Sequence, residues 1–475
     1  TQRWYGMDII DACKNGTDLY IIDPEKISLS KHARKTYKII PGRDKYLALS
    51  LLYYILDNGL YNQKYIDENF KNFSILKKKI LENDFSHLLR LSSLDTEDVK
   101  ELASILCDNG PTVIMTGNAL CHNHDSYYKG LGIALLIAVT GNYNISGGMM
   151  PMAKASENNL FRSGKLSDLF SGEKKKLNER IFDEKPLQHR SFPYYSGQEI
   201  LAKIENKELT TGIVMGANPL VSWSDSLRTG KRLKELDFLV VQDFILTPTA
   251  NLADVVFPTA TYLERESIVI DRDDRIWKVD KLLDTNINRD SLDFVLDLMN
   301  AFSLESPWEN SQEFWNYNLS PYNISIDEIG VFKEAKTVKD KSKTLKPNDY
   351  KPIDLDIEEI HDVSWGELCS LDASKTSKDF PYYCSNYKPA YRFLSMGVEE
   401  EENRLGTALI SKEIAVAKQL EEGDRVRVTS ETGEADFYIK IDAGIQKESI
   451  LIENGYWNIS KDVKEALISC ANNLT

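Results

Sequence analysis

The sequence lacks any pair of cysteines in the C-x-x-C spacing, although six cysteines are scattered over its 475 residues. Cysteine-bound iron–sulfur clusters and zinc sites take several thiolates from short, regular spacings. The positions also suggest no framework of disulfides. The sequence therefore predicts no iron–sulfur cluster, no zinc site and no disulfide on this chain.

Long apolar runs and an excess of basic charge are also missing. A membrane-spanning helix needs about 18 uninterrupted apolar residues, and the best candidate, "GIALLIAVTG" at residues 132–141, is far shorter, so we interpret it as a core helix. The chain carries 58 Lys and Arg against 73 Asp and Glu, a net charge of -15. We find no basic stripe interleaved with aromatic residues. These features argue against a direct membrane span and against a nucleic-acid surface.

Both ends of the sequence indicate an internal piece of a longer chain. The first residue is Thr1, and "TQRWYGMDIIDACKNG" begins inside an amphipathic helix that we expect to stop at the Asn-Gly pair. We therefore draw nothing from the lack of a signal peptide.

One α/β plan occurs twice along the chain. The strand "DLYIID" ends at Asp23, and after a helix the strand "DFLVVQD" ends at Asp243. Each unit has a second predicted strand, "PTVIMTGNAL" at 111–120 and "TGIVMGANPL" at 211–220. Open parallel sheets bind ligands at the carboxyl ends of their strands, which predicts two similar ligand sites. The alternative for Asp243 is that it only caps the following turn.

Between the two units lies the glycine-rich stretch "TGNYNISGGMMP", residues 140–151. Gly141, Gly147 and Gly148 allow a tight loop whose backbone amides could face an anion. Taken alone this is a weak signal, because glycine loops close many turns without binding a ligand.

The C-terminal part of the chain has a different composition. Residues 303–375 are polar and predict a connector with little core of its own. After it, "LEEGDRVRVTSETGEADFYIKI" alternates apolar and polar residues around a turn at 431–433, which predicts a hairpin of a small β-barrel. We therefore predict an α/β protein with Rossmann-like parallel-sheet units at 1–195 and 196–302, a connector at 303–375, and a C-terminal double-psi β-barrel domain at 376–475.

Together these motifs resemble the molybdopterin oxidoreductases of the dimethyl sulfoxide reductase family. The resemblance covers nearly the whole chain and depends on the order of loose motifs: "IIDPEK", "PGRD", "TGNYNISGG", "MGANP", "VVQDFILTPTANLADVVFPTATYLERES", "LEEGDRVRVTSETGE" and "NNLT". It implies a bis-molybdopterin guanine dinucleotide cofactor with molybdenum or tungsten, one guanine arm in each α/β unit.

The resemblance also implies which residues hold the cofactor. A carboxylate suits the N1 and N2 donor edge of guanine because it accepts two charge-assisted hydrogen bonds. We assign the first arm to Asp23, Gly42, Arg43, Asp44 and Gly117. The second arm falls to Asn218, Gln242, Asp243, Arg265 and Asp293. In the C-terminal domain the implied contacts are Ser385, Lys388, Arg392 and Asn472, with Tyr387 beside them.

Three further positions leave alternatives open. Trp457 matches an aromatic residue that faces the cofactor in the family, and a place in the domain core is about as well supported. His122 and His124 stand after Leu120, where the family often has Gln. Two histidines on a loop without further ligands are usually polar surface, so we predict no metal site there.

The implied activity is two-electron redox chemistry in the catalytic subunit of an oxidoreductase, with a lean to polysulfide, thiosulfate or tetrathionate reduction in anaerobic respiration. The alternatives are a cofactor-free structural homologue in an electron-transfer complex, a formate dehydrogenase, and a non-redox hydratase or transhydroxylase. The metal ligand and the iron–sulfur cluster of the family are expected upstream of Thr1, so the catalytic residue is unknown and the segment alone is predicted to be inactive.

The expected partners are a small-molecule substrate, an iron–sulfur electron-transfer subunit and a membrane-anchor subunit. A prokaryotic cell-envelope complex is favoured over a cytoplasmic one.

Overall fold

The computed structural model describes residues 3–108, 110–121, 125–149, 195–270, 275–287, 289–306, 308–320, 324–331, 336–337, 355–360, 362–370, 376–389, 395, 405–458, 460 and 462–474.

The first unit is built around one buried helix. Its helices are α1 (Arg3–Lys14), α2 (Asp44–Asp57), α3 (Gln63–Asn69), α4 (Phe73–Leu81), α5 (Phe85–Ser92), α6 (Thr96–Asp108) and α7 (Ser126–Val139). The sequence of α2, "DKYLALSLLYYILD", is apolar on nearly every face, which is typical of a helix covered on all sides. Helices α4, α5, α6 and α7 pack against it. The core helix predicted at 132–141 is confirmed as the second half of α7.

A short parallel sheet lies beside these helices. It contains β1 (Tyr20–Ile22) and β2 (Lys35–Tyr37), paired in parallel. The strand predicted at 111–120 is wrong: residues 111–117 have no strand assignment, and a 3-10 helix follows at Asn118–Cys121. One reason is that the Thr112 amide donates to the side chain of Asn142 at 2.8 Å instead of to a neighbouring strand.

The second unit contains a three-stranded parallel sheet. Its elements are α8 (Gly197–Glu205), β4 (Thr211–Met215), α9 (Pro219–Ser222), α10 (Ser226–Leu233), β5 (Phe238–Asp243) and β6 (Val255–Pro258). The strand order is β4-β5-β6. The carboxyl ends coincide, since Met215 lies beside Gln242 and Asp243 lies beside Pro258. Of the strand predicted at 211–220, residues 211–215 form β4, and its end lies at the same edge of the sheet as the predicted strand end at Asp243.

Smaller elements follow the second sheet. They are β7 (Ser267–Ile270), β8 (Arg275–Val279), α11 (Ser291–Ala301), α12 (Ser311–Leu319), β9 (Lys336–Thr337), β10 (Leu355–Asp356) and α13 (Asp362–Cys369). Strands β7, β8 and β9 form an antiparallel sheet.

The described end of the predicted connector returns to the first unit. Strand β10 pairs in parallel with β3 (Phe70–Lys71). Ile357, Trp365 and Leu368 are buried in the same apolar cluster as helix α2. This part of the connector therefore belongs to the core of the first unit.

The C-terminal domain is a mixed five-stranded sheet. Its elements are β11 (Tyr383–Tyr387), β12 (Thr407–Ile410), α14 (Lys412–Lys418), β13 (Arg425–Thr429), β14 (Glu434–Ile441), β15 (Ser449–Glu453) and α15 (Val463–Ala466). The order is β11-β15-β12-β14-β13, and the predicted hairpin is confirmed as β13 and β14. Among the described residues β11 and β13 remain the edges of an open sheet, so the expected barrel closure is not seen there.

The C-terminal domain contacts both α/β units next to their strand ends. The Gln446 amide donates to the carbonyl of Pro24 at 2.8 Å, and the Lys26 amide donates to the carbonyl of Gly444 at 3.2 Å. On the other side, the Asn472 side chain donates to the carbonyl of Val221 at 2.5 Å. The loop after Asp23 and the short helix α9 after Asn218 are thus both held by the same domain.

Candidate functional site: two strand-end clusters

The first cluster lies where β1 ends and α2 begins. Asp23 follows the last residue of β1, and Asp44 is the first residue of α2. The turn before α2 needs Gly42, whose φ of 81° is strained for any other residue. The Asp23 carboxylate accepts from the Glu25 amide at 3.0 Å.

Burial makes both of these carboxylates reluctant to ionise. Burial raises the pKa of Asp23, the Glu25 amide opposes that rise, and the nearby charge of Asp44 adds to it. Burial also raises the pKa of Asp44, against its own backbone amide and Lys129, while Asp125 adds to the rise. Carboxylates in such a setting gain most from a ligand that donates hydrogen bonds to them.

Arg43 connects this cluster to the C-terminal domain. It is only 5% exposed, and its guanidinium donates to the Tyr383 hydroxyl at 2.6 Å. The guanidinium also lies 5.1 Å from the Tyr383 ring centre and 5.7 Å from that of Tyr46. Arg43 therefore holds the Gly42 turn against strand β11, in addition to the cofactor role that we predicted for it.

A cavity of about 1910 Å³ opens between the first unit and the C-terminal domain. Six of the predicted cofactor residues line it: Asp23, Gly42, Arg43, Asp44, Gly117 and Ser385. This volume exceeds the several hundred cubic ångströms of a usual small-ligand pocket. The cavity therefore has room for an extended nucleotide arm.

Several amides of the glycine loop donate to carbonyls within the loop itself. The Asn144 amide donates to Met149 at 2.7 Å, the Met149 amide to Asn142 at 2.7 Å, and the Gly148 amide to Ile145 at 3.1 Å. A methyl group on Gly148 would lie 2.5 Å from the Asn142 carbonyl. The tight loop is confirmed, and the Asn144, Gly148 and Met149 amides are engaged within it; an anion site at this loop stays a prediction.

The second cluster lies at the carboxyl ends of β4 and β5. Asn218, Gln242 and Asp243 are 4%, 1% and 7% exposed. The Asp243 carboxylate accepts from the Phe244 amide at 2.8 Å, as the capping alternative required. Burial raises the pKa of Asp243, and the amides of Phe244 and Ile245 oppose that rise.

Two buried polar atoms of the second cluster have no hydrogen-bond partner. They are the donor Nδ2 of Asn218 and the acceptor Oε1 of Gln242. Their other atoms are engaged: Asn218 Oδ1 accepts from the Thr249 hydroxyl at 2.7 Å, and Gln242 Nε2 donates to the Asp290 carbonyl at 3.3 Å. An orphaned buried polar group is costly. A ligand with both donors and acceptors would remove that cost.

Arg265 and Asp293 meet around Asp290. Arg265 donates to the Asp290 carboxylate at 3.2 Å, and the Asp290 amide donates to the Asp293 carboxylate at 3.2 Å. Asp290 and Asp293 form a capping box at the start of α11. Asp293 is therefore engaged in capping a helix, and Gln242 touches the same cap through the Asp290 carbonyl.

The C-terminal predictions divide into three groups. Ser385 lies on β11 in the cavity wall, and Lys388 is exposed just after that strand. Asn472 binds the Val221 carbonyl, three residues after Asn218. Arg392 lies outside the described residues. The same holds for His122 and His124 of the first unit.

Trp457 is a packing residue. It is buried with Leu220, Val221, Leu467 and Cys470 between the second unit and the C-terminal domain. Its indole nitrogen donates to the Ser395 carbonyl at 2.8 Å. Of the two interpretations left open for Trp457, the place in a packed core therefore describes its position.

Sequence reasoning missed Lys129 and Asp125 in the first cluster and Thr249 and Asp290 in the second. Lys129 lies inside the apolar helix α7, where a lone lysine at the end of "SYYK" gives no signal. Asp290 carried a signal that we did not use, because "DSLD" is a capping-box spacing.

Comparison with known proteins shows the family to which this chain belongs. The molybdopterin oxidoreductase family model matches residues 5–291, and the molybdopterin dinucleotide binding domain model matches residues 386–475. The chain belongs to the molybdopterin oxidoreductase family, and its C-terminal part is a molybdopterin dinucleotide binding domain.

Two relatives illustrate the range of the family. The chain is 28% identical over 283 residues to the F420-dependent formate dehydrogenase subunit alpha of Methanocaldococcus jannaschii, covering 58% of this chain and 41% of that protein. It is 25% identical over 273 residues to the assimilatory nitrate reductase catalytic subunit of Bacillus subtilis, covering 56% and 38%. The chain thus spans about two fifths of the length of these relatives.

The fold is similar to that of a solved relative. Acetylene hydratase from Pelobacter acetylenicus superposes with a TM-score of 0.74 at 18% identity, covering 98% of this chain and 71% of that one. The predicted parallel-sheet units and C-terminal sheet domain are thereby confirmed. Among the described residues, no helix has the length and apolar character to cross a membrane.

Proposed function

We propose that this chain is part of the catalytic subunit of a molybdenum or tungsten oxidoreductase and holds a bis-molybdopterin guanine dinucleotide cofactor, one guanine arm in each strand-end cluster. The observation that carries the proposal is the second cluster, where an orphaned donor and an orphaned acceptor lie buried beside a buried carboxylate.

The residues of both clusters fit guanine. Guanine offers N1–H and N2–H donors on one edge and O6 and N7 acceptors on another. Asp243 supplies a carboxylate for the donors, Asn218 a free amide donor for an acceptor, and Gln242 a free acceptor. In the first unit Asp23 and Asp44 supply two carboxylates on the wall of the large cavity.

The group would supply two-electron redox chemistry at a metal held by its pterin sulfurs. The contribution of this chain is to bind and orient the nucleotide arms. Because the carboxylates are buried, they bind the guanine donors in a setting where water competes poorly. Hydrogen bonds from the C-terminal domain to the loop after Asp23 and to helix α9 after Asn218 hold these two segments in place.

A cofactor-free structural homologue is the main rival. Such a protein has no use for Asn218 Nδ2 and Gln242 Oε1 left unpaired in its interior, because each costs roughly 1–3 kcal/mol. The same atoms argue for a site that is completed by a ligand.

For the substrate we propose two classes. The stretches around residues 262–266 and 386–393 favour reduction of sulfur oxyanions, and the formate dehydrogenase named among the relatives favours formate oxidation. The relatives also include a nitrate reductase, and a hydratase has a similar fold, so further substrate classes should be tested besides these two. We further propose an iron–sulfur electron-transfer subunit as partner and a cell-envelope location.

The test is cofactor analysis of the full-length parent protein, purified from a host that makes the cofactor. We expect molybdenum or tungsten by elemental analysis and about two GMP per metal after acid hydrolysis. Folded protein with neither metal nor GMP would overturn the proposal and leave the structural homologue. Turnover assays with formate, thiosulfate, tetrathionate and nitrate then separate the substrate classes.

A further inference from the structure

Strand β1 of the first unit is paired along one edge only. It pairs in parallel with β2, and among the residues that the structure describes no second strand pairs with it. Its last residue, Ile22, is apolar and 39% exposed at the wall of the large cavity. An apolar strand with an open edge is a template for pairing with a further strand.

Residues 111–117, which we call the unpaired segment, line the same cavity. Their side chains alternate as in a strand: Val113 and Met115 are 51% and 57% exposed, whereas Ile114 packs against the apolar cluster of helix α2. None of the backbone amides of residues 113–116 donates to another described residue. A segment with the side-chain pattern of a strand thus keeps its donors open toward the cavity region.

The second unit shows what is missing beside β1. There β5 pairs in parallel with β6 on one side and with β4 on the other, and β4 precedes helix α10 in the chain. The first unit repeats part of this order: α1, β1, a 3-10 helix and β2 correspond to α10, β5, a 3-10 helix and β6. Among the described residues, β4 has no counterpart there, and its place corresponds to the open edge of β1.

We propose that a segment of the full-length polypeptide upstream of helix α1 forms one further parallel strand, which lies between β1 and the unpaired segment. A strand that is covered on both faces in a parallel sheet is apolar throughout, which matches the apolar wall around Ile22 and Ile114. The curated relatives described above are long enough to contain such a segment, because this chain spans about two fifths of their length. The inference does not depend on the proposed cofactor.

The size of the cavity is consistent with two occupants. Its volume of about 1910 Å³ exceeds that of a usual small-ligand pocket. The strand would follow the apolar wall, and the nucleotide arm would lie at Asp23 and Asp44. Because parallel strands have their carboxyl ends at one edge of a sheet, the proposed strand would end beside Asp23 and close the first cluster from that side.

The first test is hydrogen exchange of the full-length protein at single-residue resolution, with protein from a host that makes the cofactor and from one that does not. Alternate amides among residues 113–116 should exchange as slowly as those of β4 and β5 in both preparations, because every second amide of a strand points to the same neighbour. Fast exchange of all four beside slow exchange in β4 and β5 would overturn the inference. Slow exchange that is lost without cofactor while β4 and β5 stay protected would assign these amides to the cofactor and overturn it as well.

The second test identifies the occupant by photo-crosslinking in the full-length protein. Met115→p-benzoylphenylalanine and, separately, Ile22→p-benzoylphenylalanine should crosslink to the same short apolar segment upstream of helix α1, within one polypeptide and with no heavier band on a denaturing gel. The control is Val416→p-benzoylphenylalanine at a side chain that is 79% exposed on α14, and it should not reach that segment. Crosslinks of the two test variants to a separate polypeptide, or to two unrelated segments, would contradict the proposed strand.

Discussion

Asp243, Asp23 and Asp44 show the conflict between stability and binding at single residues. Each lies at the carboxyl end of a strand or the first turn of a helix, and burial raises the pKa of each. Desolvated charges destabilise a folded protein that has no ligand to satisfy them. Residues that destabilise the fold without ligand are expected where the ligand binds.

Asp243→Asn should raise the thermal stability of cofactor-free protein at neutral pH and weaken cofactor retention. The folded-state pKa of Asp243 is raised, so the folded state binds more protons than the unfolded state just above the ordinary Asp pKa of about 4. The stability of the wild type therefore falls as pH rises from that value through the raised pKa. The variant lacks this fall but keeps an acceptor oxygen for the Phe244 amide. Unfolding temperatures of both proteins over that pH range measure the difference.

Asp254→Asn is the control at the same sheet. The Asp254 carboxylate accepts from the Leu239 amide at 2.7 Å, and Asn keeps an acceptor oxygen for that amide, so this variant should leave the unfolding temperature and the GMP content close to those of the wild type. Equal behaviour of the two variants would contradict the assignment of Asp243 to the cofactor.

At the scale of elements, helix α13 is the clearest case of a local sequence whose role depends on distant packing. Its surroundings in the chain are polar, yet Trp365 and Leu368 are buried against helices of the first unit. Leu368 belongs to the apolar cluster of helix α2, and α13 contacts helix α7; these two helices carry Asp44 and Lys129. The element therefore supports the site from more than 200 residues away in sequence.

Leu368→Ala should lower the free energy of unfolding by about 2–4 kcal/mol, because Leu368 is fully buried and the deletion leaves a cavity. Val416→Ala on helix α14 is the matched control, since Val416 is 79% exposed, and should change stability by at most about 0.5 kcal/mol. Denaturant titration of both variants measures the effect. Similar small changes in both would show that α13 is not part of the core.

The whole molecule is organised by the docking of the C-terminal domain on both α/β units. One seam runs through Arg43 and Tyr383, with the backbone bonds of Lys26 and Gln446 beside it. The other runs through Asn472 and Trp457. Because each seam adjoins one strand-end cluster, we expect domain docking and cofactor retention to be coupled.

Tyr383→Phe should loosen the first seam. The change removes the hydroxyl that accepts from Arg43, at a cost of about 1–3 kcal/mol for a bond to a charged group. Hydrogen exchange should become faster for peptides that contain Lys26 and Gln446 and stay unchanged in the β13–β14 hairpin. Tyr438→Phe, at an exposed ring on β14, is the control and should leave exchange in both regions as in the wild type. Faster exchange in Tyr438→Phe but not in Tyr383→Phe would contradict the role of Tyr383 in this seam.

Local patterns in the sequence determined the strand ends and their chemistry. Asp23 and Asp243 follow short β-branched runs, and the C-terminal hairpin alternates with period two, so these elements could be predicted without tertiary information. The strand predicted at 111–120 is not formed, and the amide of Thr112 near its start donates instead to the side chain of Asn142, 30 positions away.

Only the tertiary structure decided how these residues act together. Arg43 and Tyr383 lie 340 positions apart, and Lys129 is one polar residue in an apolar helix until the fold places it on a cavity wall that also contains Asp23 and Asp44. The orphaned atoms of Asn218 and Gln242 are likewise visible only once burial is known. The physical reason is that strand and turn preferences are local, whereas desolvation and charge balance depend on every element that packs around a group.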